Sequence, residues 1–239
     1  RREFGGATRK APRAEGLAII GTVPCTISGP AMTNDSRSPS DRTDQVQGAG
    51  TPAPDAVGSS VSGADLAVSG VAPGLGLVLT GLEQISVDLG GGNDLFTPTG
   101  NLGVAVTLNV AGGSGRDTLL GSTGTDVLDG GAGADVIDGN QQNDTVLGGA
   151  DDDVVVWDPG DGSDTIDGGL GTDQLSFNGS NTAEIIEVSR LSTHVRVTRN
   201  IGNTLLDLVR INDPELNLLG GTDSLAVREL TGTGLTFVG

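Results

Sequence analysis

From Gly112 the chain repeats itself every nine residues. Five units follow without a gap: GGSGRDTLL, GSTGTDVLD, GGAGADVID, GNQQNDTVL and GGADDDVVV. A sixth, PGDGSDTID, comes after the inserted pair Trp157 and Asp158, and a seventh, GGLGTDQLS, ends at residue 176. Position six is Asp in all of them: Asp117, Asp126, Asp135, Asp144, Asp153, Asp164 and Asp173. Position eight is always aliphatic, from Leu119, Leu128 and Ile137 through Val146, Val155 and Ile166 to Leu175. An outlying GGGNDLF places Asp94 in a similar turn upstream.

So short a period allows few folds. Glycine at positions one, two and four permits turns with φ > 0. The last three residues form a strand too short to bury anything alone, with its position-eight side chain inward. Such strands must stack on their neighbours. Two units make one coil, so like turns recur every 18 residues along the chain and about 4.8 Å apart in space. This spacing predicts Asp117, Asp135, Asp153 and Asp173 along one edge and Asp126, Asp144 and Asp164 along the other.

Such rows repel themselves. Two unit charges about 4.8 Å apart, at an effective dielectric of about 20, cost roughly 3 kcal/mol. Several such pairs rival the ~5–15 kcal/mol stability of an ordinary domain. Composition offers no compensation. Five aromatics (four Phe, one Trp, no Tyr) in 239 residues argue against a wide core, and one Cys excludes an internal disulfide. The net charge of -18 argues against binding nucleic acid or anionic lipid. Residues 112–176 hold 14 Asp and no Glu against Arg116 alone. The stack therefore needs a counter-charge. Hard carboxylate oxygens and turn carbonyls, with no His or Cys nearby, select Ca²⁺, several ions in all. Mg²⁺ suits the site less, because it demands rigid octahedral geometry.

The pattern GGxGxDxUx, carried by residues 112–176, resembles the RTX (repeats-in-toxin) hemolysin-type calcium-binding repeat. The resemblance implies a parallel β-roll with Ca²⁺ held between turns on the same edge, and type I secretion into calcium-rich extracellular surroundings. By analogy the position-six Asp is the side-chain ligand. Carbonyls near positions two and four, such as those of Gly113, Gly115, Gly131 and Gly133, complete the shell. The match has defects: Asn140, Gln142 and Asp151 replace glycines, and the Trp157–Asp158 insertion is expected to disturb one edge. The segment from Trp157 to Asn181 also looks like a recurrent closing section of bacterial proteins of this type.

The expected fold is all-β: a parallel β-roll or β-solenoid of glycine-rich nonapeptides with irregular β flanks and a C-terminal β cap. Residues 1–44 read as a disordered leader and 45–111 as irregular solenoid coils, with strands at Leu77–Leu79, Ile85–Val87 and Val104–Val106. Residues 112–176 form the calcium-binding roll. Residues 177–239 read as the cap, whose final LTGTGLTFVG is, by family analogy, a type I secretion signal. Leu218–Leu225 echoes the turn at Asp94.

Other residues take plain readings. His194 is a surface strand residue, and one His cannot make a His-pair zinc site. Cys25, in the leader, has no partner for nucleophilic chemistry. Trp157 is a packing plug rather than a platform for a sugar. Asp129, Asp138 and Asp167, at position nine, face solvent, and the run Asp151–Asp153 mixes one ligand with two solvated charges. No H-E-x-x-H, G-x-S-x-G or Walker A lysine is present.

The sequence therefore reads as a secreted, non-enzymatic protein whose folding outside the cell is driven by calcium. A chain without an initiator Met also suits a non-catalytic C-terminal module of a larger secreted enzyme or toxin. A third reading is an adhesin presenting its acidic face to a cell surface or polysaccharide. No stretch reaches the ~20 apolar residues of a membrane span.

Overall fold

The structure is a computed structural model that describes residues 45–51, 56–62, 65–69, 76–80, 84–99, 106–191 and 193–228. The proposed leader with Cys25, Val104–Ala105 and the terminal LTGTGLTFVG lie outside them. Among the described residues all regular structure is β.

The first strands are β1 (Gln45–Thr51), β2 (Ala56–Ser62), β3 (Asp65–Ser69), β4 (Gly76–Thr80), β5 (Gln84–Gly90) and β6 (Leu95–Thr99). The repeats supply β7 (Thr107–Ser114), β8 (Thr118–Leu120), β9 (Val127–Ala132), β10 (Val136–Asp138), β11 (Thr145–Ala150), β12 (Val154–Trp157), β13 (Thr165–Leu170) and β14 (Gln174–Asn178). Then come β15 (Ile185–Leu191), β16 (His194–Arg199), β17 (Thr204–Val209), β18 (Asp213–Asn217) and β19 (Ser224–Arg228).

Two sheets face each other. One runs β1-β5-β7-β9-β11-β13-β17-β16-β15-β19, the other β18-β14-β12-β10-β8-β6-β2-β3-β4. Through the repeats every pairing is parallel, and alternate strands enter alternate sheets. The register follows the nonapeptide: Leu128 pairs with Val146, and Leu119 with Ile137. One rule gives this arrangement: successive units turn the chain from one sheet to the other. Among the described residues antiparallel pairs occur only in the flanks: β2 with β3, β3 with β4, β15 with β16, and β16 with β17.

The core is one aliphatic seam between the sheets. All seven position-eight side chains are buried. It is thin, as a chain with few aromatics requires, and a buried Trp157–Phe177 pair widens it at one level. The two rings are stacked with centroids 4.5 Å apart. This corrects the expectation that the insertion disturbs an edge. Trp157 pairs with Phe177 across β12 and β14, so the extra residues of one coil lie beside extra residues of the next. The Asn178 side-chain amide donates to Asp158 Oδ1 at 2.8 Å. The burial of Trp157 makes it a plug and leaves no open face for a sugar.

Candidate metal centre

Each repeat turn brings its Asp back under the strand that precedes it. Along the first edge the amide N–H of one ladder Asp donates to Oδ1 of the next: Asp94 to Asp117 at 2.8 Å, Asp117 to Asp135 at 2.7 Å, Asp135 to Asp153 at 2.9 Å and Asp153 to Asp173 at 3.1 Å. Asp173 N–H donates in turn to Asn212 Oδ1 at 2.7 Å, so a neutral amide ends the row. Along the second edge Leu108 donates to Asp126, Asp126 to Asp144 and Asp144 to Asp164, each at 2.8 Å. The two-residue insertion leaves this row intact. All seven predicted carboxylates are buried, and the chain brings them to the two edges that the spacing predicts.

One oxygen of each carboxylate is thus held by the backbone. The other oxygen separates the turns into two kinds. Oδ2 of Asp117, Asp135, Asp144, Asp153 and Asp173 is buried and accepts no hydrogen bond. In each of these turns it lies against the unit's first glycine: a Cβ on Gly112, Gly130, Gly139, Gly148 or Gly168 would stand 2.4–2.6 Å from it. Asp126 differs, because Ser122 N–H donates to its Oδ2 at 2.6 Å. Ser122 occupies position two, where the other kind of turn carries Gly or Asn, and its hydroxyl accepts from Gly124 N–H at 3.1 Å.

The glycine carbonyls also lie where coils meet. A Cβ on Gly131 would stand 2.2 Å from the Gly113 carbonyl oxygen, and one on Gly133 would stand 1.7 Å from that of Gly115. Only an α-carbon without a side chain permits this approach. The carbonyl at position three is already used: Gly115 N–H donates to Ala132 O at 2.7 Å, and Gly133 N–H to Ala150 O at 3.0 Å. The substituted positions keep the backbone shape, with Asn140, Gln142 and Asp151 at φ of 61°, 80° and 77°. The left-handed conformation is thus imposed by the stack even where glycine is missing.

Burial dominates the electrostatics. Desolvation pushes the Asp135 carboxyl up to about 7, and the charges of Asp117 and Asp153 add to it. Desolvation likewise takes Asp144 to about 9, Asp153 to about 6 and Asp164 to about 6, with neighbouring Asp charges contributing to the first two and to the third through Asp138. Asp117, Asp126 and Asp173 are raised by burial too. A carboxylate so placed favours a nearby cation or a proton.

Among the described residues no three His, Cys, Asp or Glu side chains converge on one point. A metal at these turns would therefore draw on one carboxylate per turn and on backbone carbonyls. That all-oxygen donor set, with open buried carboxylate oxygens, fits Ca²⁺ and suits no soft metal. Several of the remaining acids have other surroundings. Asp151 and Asp152 are exposed, and Asp152 Oδ1 accepts from Thr172 N–H at 2.7 Å. Of the position-nine residues, all half-buried, Asp167 pairs with Arg210 and Asp138 accepts from Asn140 N–H at 2.9 Å. His194 Nδ1 lies 2.9 Å from Asp207 Oδ1 on the outer face of the cap.

Sequence reasoning placed Asp94 in a turn without counting it in the row, and it missed Asn212. Asn212 follows Asp173 by 39 residues, because the β15–β16–β17 antiparallel segment intervenes, and no nine-residue count reaches it. The Gly-Ser start of the second unit was a readable sign that Asp126 is held differently.

Residues 111–146, 120–155 and 160–181 match the RTX calcium-binding nonapeptide repeat, found as four copies. No curated protein and no solved structure matches the chain.

Proposed function

With RTX calcium-binding nonapeptide repeats in its roll, we propose that this chain binds several calcium ions between its stacked turns, and that binding completes its fold outside the cell. One observation carries the reading: the buried, open Oδ2 atoms of Asp117, Asp135, Asp153 and Asp173 on one edge, with Asp144 on the other. Asp126 and Asp164 belong to the same rows. Gly113, Gly115, Gly131 and Gly133 offer the turn carbonyls. When bound, Ca²⁺ supplies the positive charge that the stacked carboxylates lack.

The residues act as a switch. Where calcium is scarce, desolvation and mutual repulsion of the carboxylates oppose stacking, and the position-eight seam alone is too thin to offset them. At the ~10⁻⁴–10⁻³ M affinities typical of extracellular modules, the same carboxylates hold the coils together. A chain unfolded inside and folded outside suits type I export. The role is non-catalytic, whether the roll works alone or as part of a larger secreted enzyme, toxin or adhesin. Isothermal calorimetry tests the binding, and circular dichroism with and without chelator tests the folding. Uptake of several ions and a strand spectrum that needs calcium are expected. A spectrum indifferent to chelator, or no uptake, rejects the proposal.

A further inference from the structure

Beyond the seventh repeat the chain builds one more turn of the same kind, and it brings its own cation. Residues 179–187, GSNTAEIIE, carry Glu184 at position six and the buried Ile186 at position eight. Four features match the ladder. Glu184 N–H donates to Asp223 Oδ1 at 3.0 Å, as Asp117 does to Asp135. Ser224 N–H donates to Glu184 O at 2.8 Å, as Val136 does to Asp117 O at 2.9 Å. A Cβ on Gly179 would stand 2.5 Å from Glu184 Oε2, as one on Gly112 would stand 2.4 Å from Asp117 Oδ2. A Cβ on Gly221 would meet the Thr182 carbonyl oxygen at 2.8 Å, the position-four contact of the repeats.

The difference lies in what meets the carboxylate. Arg199, from β16, donates through Nε to Glu184 Oε1 at 2.8 Å and through Nη2 to the same oxygen. Ser180 adds its N–H at 3.2 Å and its hydroxyl at 2.7 Å. Glu184 and Arg199 are 1% and 5% exposed, so this is a buried pair, not a surface one. Burial raises the Glu184 carboxyl, but the hydrogen bonds from Ser180 and Arg199 outweigh it and hold it below its usual range. The ladder Asp side chains move the other way. Arg199 also donates to Ile201 O at 3.2 Å and lies 5.7 Å from the Trp157 ring centroid, which joins this turn to the stacked Trp157–Phe177 pair of the core.

We infer that the Arg199 guanidinium supplies the positive charge of a degenerate eighth turn, so that residues 179–209 hold their fold without calcium and give the repeats a preformed end on which to stack. The inference rests on the calcium reading of the repeats. Breaking a buried pair at one partner is costly, and Arg199→Met does so while preserving the apolar stem.

Hydrogen exchange on the full chain tests it. In chelator, amides of 185–209 should stay protected while those of 107–178 exchange at least about tenfold faster than in calcium. Arg199→Met should remove the protection of 185–209 in chelator, and Arg199→Lys should retain much of it. In Arg199→Met the repeats should need more calcium than in the parent to develop their strand signal, because their preformed end is lost while Ser180 still holds Glu184. Equal, rapid exchange of both regions in chelator overturns the inference, as does unchanged protection or an unchanged calcium midpoint in Arg199→Met. Protection of both regions in chelator instead sinks the calcium reading itself.

Discussion

The two edges of the roll carry the same Asp at the same period and differ in what completes it. On the first edge Asp117, Asp135, Asp153 and Asp173 follow one another with an open buried oxygen at each level. On the second edge Asp126 is closed by the Ser122 amide, and among the described residues only Asp144 presents an open oxygen that is fully buried. A carboxylate at position six is therefore not enough to make a cation site. In the Asp126 turn the position-two residue uses its own N–H to satisfy that carboxylate. The first edge is the calcium edge in this reading, and the second is partly sealed by the chain itself.

The most severe way to break the comparison is to stop the coils from approaching. Gly133, at φ 122°, would place a Cβ 1.7 Å from the Gly115 carbonyl oxygen. Gly133→Ala is expected to cost about 3 kcal/mol or more and to abolish the calcium-induced strand signal of the repeats. A thermal melt in millimolar calcium within a degree or two of the parent would show that the first edge tolerates separation.

A finer test removes one charge from each edge. Asp135→Asn should lower the number of bound ions and reduce calcium-linked stability by about 1.5–3 kcal/mol, the scale of a lost interaction with a charged group. In chelator its effect should reverse in sign, because a buried, repelled charge has gone. Asp126→Asn should destabilise by about 1 kcal/mol or more with calcium and without it, since its carboxylate accepts two amide N–H groups. Its ion count should be unchanged. Calorimetry on the pair decides: equal loss of ions from both variants would erase the distinction between edges.

Much of this was legible in the chain, for a physical reason. A solenoid unit contacts chiefly its neighbours, so register follows from counting alone. The period places Leu119 beside Ile137 and Asp117 beside Asp135 without any knowledge of distant contacts. What counting cannot reach is interaction across a break in the period. Asn212 closes the first row from beyond an antiparallel segment, and Arg199 reaches Glu184 from the middle of it. Nor does a pattern of residue types reveal donors on the backbone. The Ser122 N–H exists in every possible residue except proline at that position, and only the local turn aims it at Asp126.

The raised carboxyls give the edges a pH signature. An acid whose folded value exceeds its unfolded value binds more protons when folded, so stability is full below the unfolded value and is lost as pH rises through the folded one. Here the window runs from about 4 up to about 6 for Asp153, about 7 for Asp135 and about 9 for Asp144. Without calcium the repeats should therefore gain strand signal on going from pH 8 to pH 4.5, and calcium should bind more weakly at the lower pH because protons compete. Circular dichroism in chelator across this range checks it. A signal that grows with pH would mean that the folded carboxylates are already compensated.

The smallest expected change in stability is also the most specific. Ser122→Gly restores the Gly-Gly start found in the first, third, fifth and seventh units. The lost hydroxyl contacts, to Gly124 N–H and to the Asp126 carboxylate, cost about 1–2 kcal/mol, which calcium at the opened carboxylate offsets. Glycine at position two can take the left-handed φ that Gly113, Gly131, Gly149 and Gly169 adopt at 101–117°, which turns the residue-122 amide away from the carboxylate. Asp126 Oδ2 should then open as its counterparts do, and the variant should bind one more ion than the parent at almost unchanged stability. An unchanged ion count would locate the closure of Asp126 in its place at the head of the second edge, where Leu108 rather than a ladder Asp donates to it, and not in the residue at position two.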